Sequence, residues 1–393
     1  MEHIYFDNSA TTRVDPRVAE AMMPYFDKWY GNASSLHSFG REASEALDEA
    51  RERTANAIGS KSQEIVFTSG GTESDNLAIQ GVAFANRDAG DHIITSAFEH
   101  HAVLNTCRFL ETQGFRVTYL PVTSVGMVDP ELVKEAITKR TILVSIMTAN
   151  NEIGTVQNVR EIGGISHDNG LLFHTDAVQG IGKLPLEVNK DNIDLLALSA
   201  HKFHGPKGVG ALFVRKGTNL RPLVYGGGQE RGLRSSTENI PGIVGLGKAI
   251  ELSKLELEEN VARMTSVRDR IIDGTLVGVT GCRLNGHRVR RLCNNANFRF
   301  DYIDGEALVL NLDVKGFATS TGSACSARST EASHVLKAIG IESEHARGSL
   351  RITLSKMNSM AEAEAYLETI KEVVTRLRSI SPVAMLSKQE GGA

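Results

Sequence analysis

Between Ile65 and Val214 the chain alternates short apolar runs with longer stretches of helical composition, and few folds accept that order. Ile65–Phe67, Ile93-Ile94, Val117–Leu120, Ile142–Met147, Leu171–His174, the run from Leu195 and Ala211–Val214 read as strands. Thr72–Asn86, Ala102–Thr112, Pro130–Thr138 and Val159–Asn169 read as helices between them. Parallel strands need a crossover of about a dozen residues, which such helices supply. The pattern predicts an α/β fold: a mostly parallel sheet with helices on both faces.

On either side the rhythm differs. Ile4-Tyr5-Phe6 is a short strand, Asp15-Pro16 caps and starts a helix, and Arg41–Ile58 is helical up to Gly59. After Ile240, Val244–Ile272 reads as one or two helices, Cys293–Phe300 and Leu350–Leu354 as strands, and Glu306–Leu312 and Ser333–Ile339 as helices. A last amphipathic helix carries Tyr366, Ile370, Val373, Val374 and Leu377. The expected organisation is a large domain at 16–255, a smaller α+β domain from 1–15 and 256–380, and a loose tail at 381–393.

Composition narrows the function classes. With 393 residues, 41% hydrophobic and 23% charged, the chain can bury the cores of about two domains. A net charge of −4 suggests neither a nucleic-acid surface nor a polybasic membrane patch. No apolar run approaches membrane-spanning length and no secretory signal opens the chain, so the expected location is the cytoplasm. Cys107, Cys282, Cys293 and Cys325 are too few for a disulfide framework and read as reduced thiols. No metal site is assigned.

The chemistry gathers where strands end. In Leu195–Gly210 (LLALSAHKFHGPKGVG) a doubly buried strand turns polar within four residues. Lys202 then stands at the carboxyl end of the sheet, where α/β folds bind ligands. Partly desolvated there, it can lose its proton and bond a carbonyl carbon, which predicts a Schiff base with pyridoxal 5'-phosphate (PLP). Lys207, in the Gly-Pro-Lys-Gly turn, is the solvated alternative. Asp176 ends another buried strand and needs a cationic partner, which a pyridinium nitrogen supplies. Gln179 could reach the ring's phenolic oxygen. Gly71 and Thr72, in Ser69-Gly70-Gly71-Thr72-Glu73-Ser74, open a helix as an anion cradle. His100 follows the Ile93 strand and can stack on a ring and move protons, with His101 as the blander choice. Asn150-Asn151 follows the Ile142 strand.

Two further residues suit a substrate. Cys325 lies in Thr319–Arg328, a run of small residues that reads as a mobile loop presenting an exposed thiol. Arg351, in an alternating strand, could clamp a carboxylate with its planar fork.

Together these stretches resemble the cysteine desulfurases of the NifS/IscS type, group I, in the class-V aminotransferase family of fold-type I PLP enzymes. The likeness rests on Tyr5–Thr12, Ser69–Asn76, Glu99–Val103, Asn150–Gly154, His174–Gln179, Ser199–Gly208, Arg234–Asn239, Gly322–Cys325 and Ser349–Ile352, in family order along nearly the whole chain. It implies the aspartate-aminotransferase-like fold and a reaction turning L-cysteine into L-alanine with a persulfide on Cys325. It implies Lys202 as the Schiff-base lysine, Asp176 as the ring-nitrogen partner and His100 as the stacking residue. Gln179 and Asn151 match ring contacts; Gly71, Thr72, Ser199 and His201 match phosphate ligands. Thr237 matches a phosphate ligand given by the second subunit of a homodimer. Asn8, Asn151 and Arg351 match substrate contacts. An iron–sulfur scaffold protein is the implied acceptor, with tRNA thiolation, selenocysteine lyase activity or another fold-type I reaction as alternatives. The chain departs from the family at Ala33 (usually Pro), at Ser236 (usually Gly) and in the run after Cys325.

Overall fold

The computed structural model describes residues 3–322 and 332–381. Its strands are β1 Ile4–Tyr5, β2 Ile65–Thr68, β3 His92–Ser96, β4 Arg116–Leu120, β5 Thr141–Ser145, β6 Leu172–Asp176, β7 Leu195–Ser199, β8 Gly210–Val214, β9 Cys282–Asn285, β10 Asn295–Phe300, β11 Phe317–Ala318 and β12 Ser349–Thr353. Seven of them form one sheet in the order β2-β8-β7-β6-β5-β3-β4. The β4/β3, β3/β5, β5/β6 and β6/β7 pairs are parallel. Strand β8 runs antiparallel to both of its neighbours. The connection from β7 to β8 holds only Ala200–Val209, which is short for a crossover, so the chain turns back. Gly210 permits this: a Cβ there would lie 2.6 Å from the Leu198 carbonyl oxygen and 2.7 Å from Gly70 Cα.

Strands β5, β7 and β8 are buried at every position, as their unbroken apolar runs predict for a sheet covered on both faces. One apolar core on the sheet includes Ile94, Val144, Phe173, Leu196 and Phe213, and another includes Val66, Ile93, Leu143, Leu195 and Leu212. Alternate residues of β7 and β8 thus face opposite cores. A third core joins Phe6 to Ile271, Phe298, Ile352 and Tyr366, and β1 pairs with β11 far along the chain. Strands β9, β10 and β12 form its antiparallel sheet.

Several boundaries differ from expectation. The 244–272 stretch belongs to two helices, Ile240–Leu255 and Leu257–Gly278, broken at Glu256. The helix from Pro130 ends at Ala136, and β6 continues to Asp176. Cys293 was expected in a strand; it is buried in a turn just before β10, where the Asn295 N–H donates to the Leu292 carbonyl. Asn294, beside it, holds the turn by donating to the Leu354 carbonyl. Among the described residues no helix is long and apolar enough to cross a membrane, and Cys107, Cys282 and Cys293 are free thiols.

Candidate active site

The carboxyl ends of β3, β5, β6 and β7 open into a cavity of about 290 Å³. Its lining includes Gly71, Thr72, His100, Asn151, Asp176, Gln179, Ser199, His201, Lys202 and Arg351. The parallel sheet explains the convergence, because every strand in register delivers its next residue to the same edge.

Lys202 follows β7 on a single 3₁₀ turn, Ala200–Lys202. Its Nζ donates to the carbonyl oxygens of Ser9 and Ala10, at 2.6 and 2.8 Å. Burial pushes its pKa down to about 8; the charges of Arg351 and Lys183 add to this, and Asp7 and Asp176 oppose it. Lys207 is exposed. Asp176 ends β6 and accepts a hydrogen bond from the Val178 N–H at 2.9 Å. Burial raises its carboxyl to about 6, against that hydrogen bond and the Lys202 charge. Gln179 Nε2 donates to the Ser9 carbonyl at 3.1 Å, while its Oε1 is buried without a partner.

His100 caps the His101–Thr112 helix, its Nδ1 accepting from the Ala102 N–H at 3.1 Å. That bond leaves Nε2 free to carry the proton. Burial, then the charge of Lys202, pushes its pKa down to about 4. The ring is therefore neutral at pH 7. His101 packs against His334 with ring centroids 4.5 Å apart. His201 Nδ1 meets Thr11 Oγ1 at 3.1 Å, and burial lowers this histidine to about 4 as well.

Asn150 and Asn151 divide their tasks. Asn150 is fully buried and staples the loop: its Oδ1 accepts from the Glu152 and Ile153 N–H groups. Asn151 faces the cavity. Arg351 is 2% exposed, although it stands in a strand of alternating pattern. It donates from Nη1 to the Gly322 and Asn151 carbonyls and from Nη2 to Asp7 Oδ1, and its Nε has no partner.

Two expected site residues lie elsewhere. Asn8 is buried outside the cavity, its Nδ2 2.7 Å from the Thr353 carbonyl oxygen. Thr237 is exposed and does not line the cavity of its own chain. Cys325 lies outside the described residues.

Sequence reasoning missed Asp75, Glu152 and His334, which also line the cavity. Asp75 sits in the Gly71–Ala85 helix, where an acid ordinarily marks a solvated face. Here it is buried, with Oδ1 unpartnered and 3.5 Å from His174 Nε2. Burial and the neighbouring Asp176 and Glu99 push its carboxyl well up. Glu152 is buried too and accepts from Ser333 Oγ at 2.6 Å, burial raising its pKa. Hydrophobic helix periodicity, which would turn residue 75 toward the sheet with Ala78 and Ile79, was the available signal.

The donor set fits PLP. Among the described residues the half-buried amine of Lys202 has only carbonyls for partners, as an aldehyde-bonding lysine requires. Among the described residues the buried Asp176 carboxylate has no cationic hydrogen-bond partner, which a pyridinium N–H would be. The unpartnered Gln179 Oε1 awaits a donor. The Gly71–Ala85 helix presents free N–H groups to an anion, and a Cβ at Gly71 would come within 2.6 Å of Val178 Cγ2.

Residues 4–366 match the model of the aminotransferase class-V family. The cysteine desulfurase IscS of Methanosarcina thermophila is 54% identical over 380 residues, covering 97% of this chain and 94% of that one. The cysteine desulfurase IscS of Dictyoglomus turgidum is 52% identical over 379 residues, 96% of each. Among solved structures, a NifS-like protein superposes with a TM-score of 0.90 at 41% identity, covering 95% of this chain and 100% of that one. The structure of SspA in complex with cysteine gives 0.80 at 39% identity, covering 90% and 99%. The chain belongs to the class-V aminotransferase family. It is a PLP-dependent enzyme whose curated relatives include several cysteine desulfurases.

Proposed function

We infer that the chain is a cysteine desulfurase, and that it moves the sulfur of L-cysteine to Cys325 and releases L-alanine. The observation that carries this is the meeting of Lys202, Asp176, His100 and Arg351 in one cavity. SspA, a solved relative, is described in complex with cysteine.

PLP, when bound, supplies the electron sink that lets first the Cα–H and then the Cβ–S bond of cysteine break. The protein's residues do the rest. Asp176, anionic in the cavity, would hold a proton on the cofactor's ring nitrogen. The Arg351 fork takes the substrate carboxylate. Lys202, uncharged once released, removes the Cα proton; a pKa of about 8 makes that form accessible near neutral pH. His100, neutral and with Nε2 as its donor, would lie against the cofactor and would return a proton to the alanine skeleton. The thiolate of Cys325 forms an S–S bond to the substrate sulfur as the Cβ–S bond breaks. The products are one persulfide and one alanine, with no net oxidant or reductant.

The reading extends to a homodimer in which Thr237 completes the partner's phosphate site. Its exposure away from its own cavity suits a residue given to another subunit. The persulfide then serves iron–sulfur cluster assembly in the cytoplasm, through a scaffold protein that accepts the sulfur. Cys325→Ala tests the central claim. This variant should bind PLP and cysteine yet release no sulfide under thiol; wild-type sulfide output would move the nucleophile elsewhere.

A further inference from the structure

The turn that follows β6 carries more than Asp176. Its backbone is tightly wound, with Gly180 N–H to Ala177 O at 2.8 Å and Lys183 N–H to Gly180 O at 3.0 Å. It bonds the Lys202 backbone and shares an acceptor with the Lys202 amine. Gln179 Nε2 donates to the Ser9 carbonyl, the same oxygen that accepts from Lys202 Nζ. Lys183 Nζ donates to the carbonyl of Lys202 itself, at 3.2 Å.

Lys183 is 6% exposed, and among the described residues no carboxylate forms an ion pair with it. A buried amine without a counter-charge costs stability. Its one hydrogen bond goes to the residue on which the chemistry turns. We propose that Lys183 is a positioning residue for Lys202: it pins the Lys202 carbonyl, fixing the turn that aims the amine. The charge held so near also favours the unprotonated form of the Lys202 nitrogen.

The charges around the two lysines are accounted for. Arg351 and Lys183 disfavour a cation at Lys202, while Asp7 and Asp176 favour one. His100 and His201 are neutral at pH 7. Beside Lys183 lie the Cys293 thiol and His204, the thiol pushed up to about 11 and the histidine down to about 4 by burial. Neither is charged at pH 7. Burial lowers Lys183 to about 8, so it remains mostly protonated there.

The inference rests on Lys202 being the cofactor-bonding lysine, and its test separates the two. The near-visible absorbance of the holoenzyme is titrated between pH 5 and 10. Loss of the Lys183 charge in Lys183→Gln, or in Lys183→Met should Gln fold poorly, raises the midpoint by about one pH unit, a tenfold change in the protonation equilibrium. Lys183→Arg keeps the wild-type midpoint. An unmoved midpoint in the uncharged variants, or an Arg variant that shifts as far as they do, overturns the proposal. If Lys202→Ala retains the absorbance band, the reading of Lys202 falls, whatever the Lys183 variants show.

Discussion

The guanidinium of Arg351 meets the carboxylate of Asp7 at 2.7 Å, although 344 residues separate them in the chain. Parallel pairing of Ile4 and Tyr5 with β11 brings the N-terminus to this place. The arginine's charge is balanced before substrate arrives, and its Nε remains without a partner. A substrate carboxylate therefore enters a site already oriented rather than a loose side chain. Charged hydrogen bonds of this kind contribute about 1.5–3 kcal/mol. Arg351→Lys, which loses the planar fork, should raise KM for cysteine about 10- to 100-fold and change kcat less. Equal KM values would remove Arg351 from substrate binding.

Gly71 and Val178 meet at the wall of the cavity, where the proposed function puts the cofactor phosphate. A Cβ at residue 71 would press Val178 Cγ2 at 2.6 Å, and a β-branched side chain cannot swing aside cheaply. Because the Val178 N–H is hydrogen-bonded to Asp176 Oδ1, the displacement reaches that carboxylate as well. Gly71→Ala should weaken PLP binding about tenfold, an overpacking cost of about 1–2 kcal/mol. Adding Val178→Ala should restore most of it. Equilibrium dialysis of PLP against the two variants reads the coupling directly, and a double variant no better than the single would refute the contact.

What was legible in the sequence follows from periodicity. Residues Leu195–Leu198 had to lie in a covered sheet, so Lys202 had to emerge at its edge, and the same logic located Asp176 and the Asn150-Asn151 pair. The long-range pairings were not legible. Nothing local in Asp7 shows that it meets Arg351, and nothing in Asn150-Asn151 says which amide faces the cavity. Asp75, Lys183 and Glu152 were missed for one reason: charged residues are rarely buried, so they read as surface. Cys293 reads as the first residue of the strand that runs to Phe300, whereas the Asn294 side chain, donating to the Leu354 carbonyl, holds a turn there and the strand begins only at Asn295.

His174 gives a pH signature independent of catalysis. It is fully buried, with Nδ1 2.8 Å from Ser145 Oγ, and burial lowers its pKa to about 3 from an ordinary 6.5. A depressed histidine binds its proton more readily in the unfolded chain. Its stabilising effect is thus whole above pH 6.5 and lost as pH falls toward 3. Compared with His174→Gln, the wild type should lose up to about 1.4 kcal/mol of unfolding free energy per pH unit below 6.5. The difference should be flat between pH 7 and 8. Urea unfolding of both proteins at several pH values checks this, and a pH-independent difference would show that His174 does not remain neutral.

Ser236 occupies the position where the family usually has glycine, and its φ of 127° lies where side chains are strained. The segment is otherwise well anchored. The Ser236 N–H donates to Gln229 Oε1 at 3.1 Å, and Arg234 pairs with Glu73 at 2.8 Å. These contacts hold a conformation that serine disfavours by about 1–3 kcal/mol. Glycine removes that strain but adds freedom to the unfolded chain, worth roughly 0.5–1 kcal/mol in the other direction. Strain is the larger quantity, so Ser236→Gly should stabilise the protein by about 1 kcal/mol, seen as a higher melting temperature with unchanged cooperativity. A lower melting temperature would mean that the serine side chain makes a compensating contact, and Thr237, one residue on, would then be held by that contact rather than by the backbone.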